Sequence, residues 1–300
     1  MDGQDRGQTL VVGVDGSQFA LRAVRWAADE AGRRKVPLRI VHAFQWIEDR
    51  GRSGPGVRSG HREIALERAR HLIAAAAREA LEQAPGIEVE RQLVVGDAIG
   101  VLTAETVHAQ LVVVGDRGHS RFDGMIMGSV PVALAVHAAC PIVVVRGRDR
   151  ETTGAAVPAV VVGVDGTPLS EAAIAFAFDA AATRGAPLVA VHTWIDLISD
   201  PNVAAIIDRD IAADDERRVL SESLAGWSEK YPDVPVEQVV AHGRPAHTLL
   251  DLSTRAQLLV VGSRRHGDFT GLFLGSVSNT LVHRAACPVA VVQPDTAVPA

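Results

Sequence analysis

The residues of this chain best suited to chemistry lie in Val112-Val113-Val114-Gly115-Asp116-Arg117-Gly118, followed after nine residues by Gly128-Ser129-Val130. Glycines at 115 and 118 let backbone amides approach an anion free of Cβ clashes, and Gly128-Ser129 offers amides and a hydroxyl at the head of a helix. A phosphate group is the natural occupant of such a loop. That the glycines only make turns would be the better reading of a single pair, but the pattern returns as Val260-Val261-Gly262 and Gly275-Ser276-Val277. A second candidate closes an earlier apolar run. Asp15 stands in Gly13-Val14-Asp15-Gly16-Ser17 and Asp165 in Gly163-Val164-Asp165-Gly166-Thr167. Either carboxylate can cap the helix that follows or reach ligand groups at the carboxyl edge of a sheet, and repetition of the whole segment favours the ligand role.

Other reactive residues assemble less. His42 and His192 recur without a second histidine or acid at metal-ligand spacing, so they read as packed strand-end side chains. Cys140 and Cys287 each precede a proline at the mouth of an apolar run, as buried inert thiols do. With two cysteines and no CxxC pair, neither a disulfide framework nor a zinc site is expected. Nucleophile-elbow, Walker A and dinucleotide fingerprints are all missing, and nothing builds a catalytic nucleophile.

The elements that must position these residues come as a repeat. Residues 11–17 return at 161–167 and Val41-His42 at Val191-His192, an offset of 150. Gly128-Ser129-Val130 and Ala139-Cys140-Pro141 return 147 residues later, so a three-residue difference falls between the second strand and the middle of each copy. Short Val/Leu/Ile runs at 9–14, 38–43, 89–95, 111–115 and 142–145 alternate with helical spacing, and the second copy shows runs near 159–164, 188–193, 236–240, 258–262 and 289–292. Near-continuous apolar runs of this length suit a parallel sheet covered on both faces. The expected fold is α/β, with two tandem doubly wound, Rossmann-like domains at 1–146 and 159–294 and a Gly/Thr/Ala-rich linker at 147–158. The first helix should start after Ser17 and bury Ala20, Val24, Ala27 and Ala31; the second should span about 62–83, after a glycine-rich loop at 51–60 expected to be the least ordered.

Composition narrows the partners. A net charge of −6 argues against general nucleic-acid binding, although the halves differ, with 20 basic and 18 acidic residues in 1–150 against 10 and 18 in 151–300. The polar N-terminus and the lack of any apolar run of about 20 residues predict a cytoplasmic protein with no membrane partner.

The Gly115-x-x-Gly118-x9-Gly128-Ser129 pattern, with Asp15 after the first strand and Cys140-Pro141 opening the fifth, closely resembles the universal stress protein family over nearly all of both halves. The resemblance implies a tandem protein of the ATP-binding subgroup with a regulatory or stress-response role, holding ATP together with Mg2+. It implies that the glycine motif holds phosphates and ribose while the aspartate and nearby backbone receive adenine and sugar. Carried onto this chain, the first site comprises Gly13, Asp15, Ala43, Val114, Gly115, Gly118, Gly128, Ser129 and Val130. The second comprises Gly163, Asp165, Thr193, Val261, Gly262, Gly275, Ser276 and Val277, but Arg265 stands where the pattern has its second glycine. Asp116 beside the first loop would repel phosphate unless it points away or helps hold Mg2+. The family also implies that the halves pair through their fifth strands as a pseudo-dimer, with a further homodimer left open. A slow ATPase, an adenylate-forming enzyme of a related fold, and a purely structural assembly module are the alternatives.

Overall fold

The computed structural model describes residues 9–45, 55–118, 128–146, 157–195, 209–263 and 274–294. The chain divides into two compact units, Met1–Val145 and Arg146–Ala300. The first contains β1 (Thr9–Gly13), α1 (Gln18–Arg34), β2 (Leu38–Phe44), α2 (Pro55–Gln83), β3 (Val89–Val95), α3 (Ala98–Glu105), β4 (Ala109–Gly115), α4 (Ser129–His137) and β5 (Ile142–Val145). Its strands are all parallel and lie in the order β3-β2-β1-β4-β5. Leu10, Val11, Val12, Leu111, Val112, Val113, Ile142, Val143 and Val144 are buried whichever face they point to, as a sheet covered on both sides requires. Helices α1 and α2 pack together, as do α3 and α4, and each pair covers strands of the sheet.

Helix α1 shows how the sequence produces a covered strand. Ser17 is its N-cap, with the hydroxyl accepting a hydrogen bond from the Ala20 amide at 3.1 Å. Ala20, Val24, Ala27 and Ala31 are all buried, and their small side chains let the helix lie close to β4. It ends at Lys35, whose φ of 55° puts a non-glycine residue in the left-handed region. Helix α2 departs from expectation by starting seven residues earlier than position 62. Pro55 suits a first helical position, because its fixed φ is already helical and its missing amide would have no partner there. The expected loop at 51–60 is therefore helical from 55, and the rest of it lies outside the described residues.

The second unit repeats the plan with β6 (Val160–Val164), α5 (Glu171–Arg184), β7 (Leu188–Trp194), α6 (Arg209–Ser223), α7 (Trp227–Lys230), β8 (Val236–His242), α8 (Pro245–Ser253), β9 (Leu258–Gly262), α9 (Ser276–Arg284) and β10 (Val289–Val292). Its parallel strands run β8-β7-β6-β9-β10. Pro168 replaces the residue that opens α1, and the chain makes a 3-10 turn over Pro168–Ser170 before α5 begins. Of the expected linker, residues 147–156 lie outside the described residues.

Candidate functional site

In the first unit the chain runs from β1 outward through β2 to β3 and returns to β4 on the other side of β1. Crossovers leaving two adjacent strands in opposite directions open a crevice at their carboxyl ends. The crevice is a cleft of about 470 Å³, within the range of small-molecule sites. All nine residues expected from the sequence line it: Gly13 and Asp15 beyond β1, Ala43 on β2, Val114, Gly115 and Gly118 at and after β4, and Gly128, Ser129 and Val130 where α4 begins. The corresponding cleft of the second unit, about 500 Å³, is lined by all eight of its expected residues, Gly163, Asp165, Thr193, Val261, Gly262, Gly275, Ser276 and Val277. Arg265, the departure from the glycine pattern, lies outside the described residues.

The glycines of the first loop owe their identity to close approach. A Cβ on Gly115 would lie 2.7 Å from the backbone carbon and oxygen of Phe19 at the start of α1, which no side-chain movement could relieve. A Cβ on Gly118 would lie 2.6 Å from Asp15 Oδ2. Gly118 does not have a positive φ, so the glycine is needed for the room it leaves the aspartate rather than for its backbone conformation.

Asp15 is not the helix cap. Its Oδ1 accepts from the Ser17 amide at 2.9 Å, leaving the capping of α1 to Ser17, and the carboxylate borders the cleft. In the second unit the matching carboxylate is bound within its own turn. Asp165 Oδ1 accepts from the Thr167 amide at 3.1 Å, the Thr167 hydroxyl at 2.6 Å and the Ser170 hydroxyl at 2.7 Å. Gly128 and Gly275 are the N-cap residues of α4 and α9, and neither provides a side-chain hydrogen bond. First-turn amides without a capping side chain suit an anionic oxygen, and the helix dipole reinforces them.

Asp116 is buried and is not among the residues lining the cleft; its Oδ2 lies 3.9 Å from Arg117 Nε. His42 forms part of the wall while its Nδ1 donates to the Val14 carbonyl at 2.7 Å. His192 Nδ1 donates likewise to Val164 at 2.9 Å, and its Nε2 meets Glu216 Oε2 at 2.7 Å. Both histidines thus tie the end of the second strand of their unit to the end of the first. Cys140 is buried, and the loss of solvent pushes its thiol up to about 12, more than a hydrogen bond from the Val112 backbone lowers it. Among the described residues no group of three or more His, Cys, Asp or Glu side chains gathers around a metal position.

Sequence reasoning overlooked several wall residues. Leu102 and Ala98 come from α3, and Val41 and Ala20 from β2 and α1; all are ordinary apolar residues with no motif to mark them. Arg117 is different, since it stands inside the glycine motif and its charge was a visible signal.

Two tandem α/β units, each with a cleft at the switch point between its first and fourth strands, define the class of protein. A sequence model of the universal stress protein family matches residues 7–146 and again 158–293, and the chain belongs to that family. A universal stress protein of Mycolicibacterium smegmatis is 38% identical over 288 residues, covering 95% of this chain and 97% of the relative. One from Mycobacterium tuberculosis is 39% identical over 290 residues, covering 94% and 95%. Among solved structures, a universal stress protein of Archaeoglobus fulgidus superposes with a TM-score of 0.68 at 16% identity, over 97% of this chain and 99% of that one, which establishes the shared fold.

Proposed function

We propose that this chain is a cytoplasmic, ATP-binding regulatory protein of the stress response, with the nucleotide held in the cleft of the first unit and Mg2+ accompanying its phosphates. The observation that carries this reading is the convergence on that cleft of a strand-end aspartate, a glycine at 115 with no space for a side chain, a glycine at 118 whose Cβ position the aspartate occupies, and the N-terminus of α4 without a side-chain cap. Val41, Ala43 and Leu102 give the cleft apolar wall suited to the flat face of a base. Asp15 is an acceptor for sugar hydroxyls or an exocyclic amine. The amides of Ser129 and Val130, with the Ser129 hydroxyl, are donors for phosphate oxygens. The second cleft offers the same backbone elements, with Gly275, Ser276 and Val277 at the phosphate end and Gly163, Asp165, Thr193, Val261 and Gly262 along the strands.

A regulatory role requires the bound nucleotide to favour one conformation or partner over another. Separating and identifying the small molecules released when the purified chain is denatured tests the reading. Adenine nucleotide in near-stoichiometric amount supports it. A different class of ligand in that amount overturns it.

A further inference from the structure

A charged side chain at the mouth of the first cleft is held by two neighbours that the second unit does not have. Arg117 lines the cleft and its side chain is 49% exposed, so its guanidinium is accessible to a ligand. The guanidinium carbon lies 5.6 Å from the centroid of the Phe19 ring, within cation–π range, and Nε lies 3.9 Å from Asp116 Oδ2. The Phe19 backbone is packed against Gly115 too closely to admit a Cβ between them, and its ring also faces Arg22, whose guanidinium carbon lies 4.9 Å from the centroid. An exposed arginine ordinarily pays side-chain entropy to meet a phosphate, and a ring and a carboxylate that already hold the guanidinium reduce that cost.

The same positions in the second unit are Leu169 and Ser263, and both line its cleft. Leu169 is the structural counterpart of Phe19, since its carbonyl oxygen lies 3.3 Å from where a Cβ on Gly262 would stand. Arg264 stands where the first unit has Arg117, but leucine offers a guanidinium no aromatic face and serine offers it no charge.

We infer that Arg117, positioned by Phe19 and Asp116, gives the first unit a preference for the polyphosphate end of its ligand, and that the second unit, with Leu169 and Ser263 in their places, does not offer these two positioning groups to Arg264. The inference rests on the nucleotide reading above and adds a discrimination by charge: the first cleft separates ATP from adenosine more sharply than its backbone donors alone would. A charge-assisted contact of this kind is worth roughly tenfold or more in affinity.

The test is calorimetric titration of the stripped full-length chain, and of its Arg117→Gln and Phe19→Leu variants, with ATP and with adenosine. Arg117→Gln is expected to weaken ATP about tenfold or more while adenosine stays within about twofold, and where two classes of site appear only one should change. Phe19→Leu is expected to lower the ATP-to-adenosine ratio by a smaller factor, and Arg117→Lys to retain part of it, which a merely structural defect would not do. An unchanged ratio in Arg117→Gln overturns the inference and leaves the nucleotide reading intact, as does a parallel loss of both ligands. A ratio lowered by Arg117→Gln but untouched by Phe19→Leu overturns the positioning role. Absence of binding by either ligand to the unsubstituted chain overturns the nucleotide reading itself, and the inference with it.

Discussion

Gly118 is restricted by its neighbour, Asp15, whose Oδ2 occupies the place a side chain would need. Gly118→Ala therefore either displaces the carboxylate from the cleft or shifts the loop, and in both cases the site loses its arrangement while the buried sheet beneath is untouched. Nucleotide affinity should fall by roughly tenfold or more, with the thermal midpoint and the oligomeric state unchanged. Equal losses of affinity and assembly would contradict this account. At the same scale, Cys140 is only 4% exposed and its thiol is pushed up to about 12 by burial, so the reactive thiolate is scarce at pH 8. Iodoacetamide at that pH should leave Cys140 and the equally buried Cys287 unmodified in the native chain and label both after denaturation. Rapid labelling of either in the native state would show that these strand mouths open. The site glycines and aspartates were legible in the sequence because they repeat in short motifs. The reason for Gly118 was not, since it depends on where a residue more than 100 positions away places one oxygen.

Among the elements, α1 ends at Lys35 with φ 55°, while the equivalent helix of the second unit, α5, ends at Gly185 with φ 57°. A left-handed conformation costs a lysine roughly 1 kcal/mol that glycine avoids, partly offset by the greater freedom of glycine in the unfolded chain. Lys35→Gly should accordingly stabilise the chain by about 0.5–1 kcal/mol, read as a higher urea midpoint; a lower midpoint would refute the assignment. The strands were legible as apolar runs, and β3 and β5 coincide with the runs at 89–95 and 142–145. Helix boundaries were less so. The start of α2 was hidden because glycines at 54, 56 and 60 suggest a loop while the helical backbone tolerates those at 56 and 60.

A second feature escaped the sequence altogether. Thr106 at the end of α3 donates to the Thr103 carbonyl at 2.6 Å and accepts from the Ala139 amide at 3.0 Å. Ser253, 147 residues later, does the same with Leu250 at 2.6 Å and Ala286 at 3.0 Å. Each hydroxyl ties a helix to the turn that leads into its unit's last strand. Nothing in a threonine or serine next to a helix end reveals such a distant partner.

For the molecule as a whole, duplication has preserved the backbone of the cleft more faithfully than its chemistry. Ala20, Ala43 and Pro131, which line the first cleft, and the buried Asp116 beside it correspond to Ser170, Thr193, Ser278 and Ser263 of the second unit. Hydroxyls thus replace apolar side chains and one buried acid, although Ser170 and Ser278 already donate to Asp165 at 2.7 Å and to the Gly262 carbonyl at 2.9 Å. The repeat in the sequence foretold two clefts and one departure, Arg265, and the rest of their divergence became visible when the lining of each was assembled. The two units are best regarded as distinct sites on one scaffold. Their common claim is that the switch-point cleft holds adenine nucleotide, and equilibrium dialysis of the stripped full-length chain against labelled ATP tests it most directly. The account predicts saturable binding of at least one ATP per chain, weakened in Gly118→Ala; no binding at millimolar ATP would contradict it.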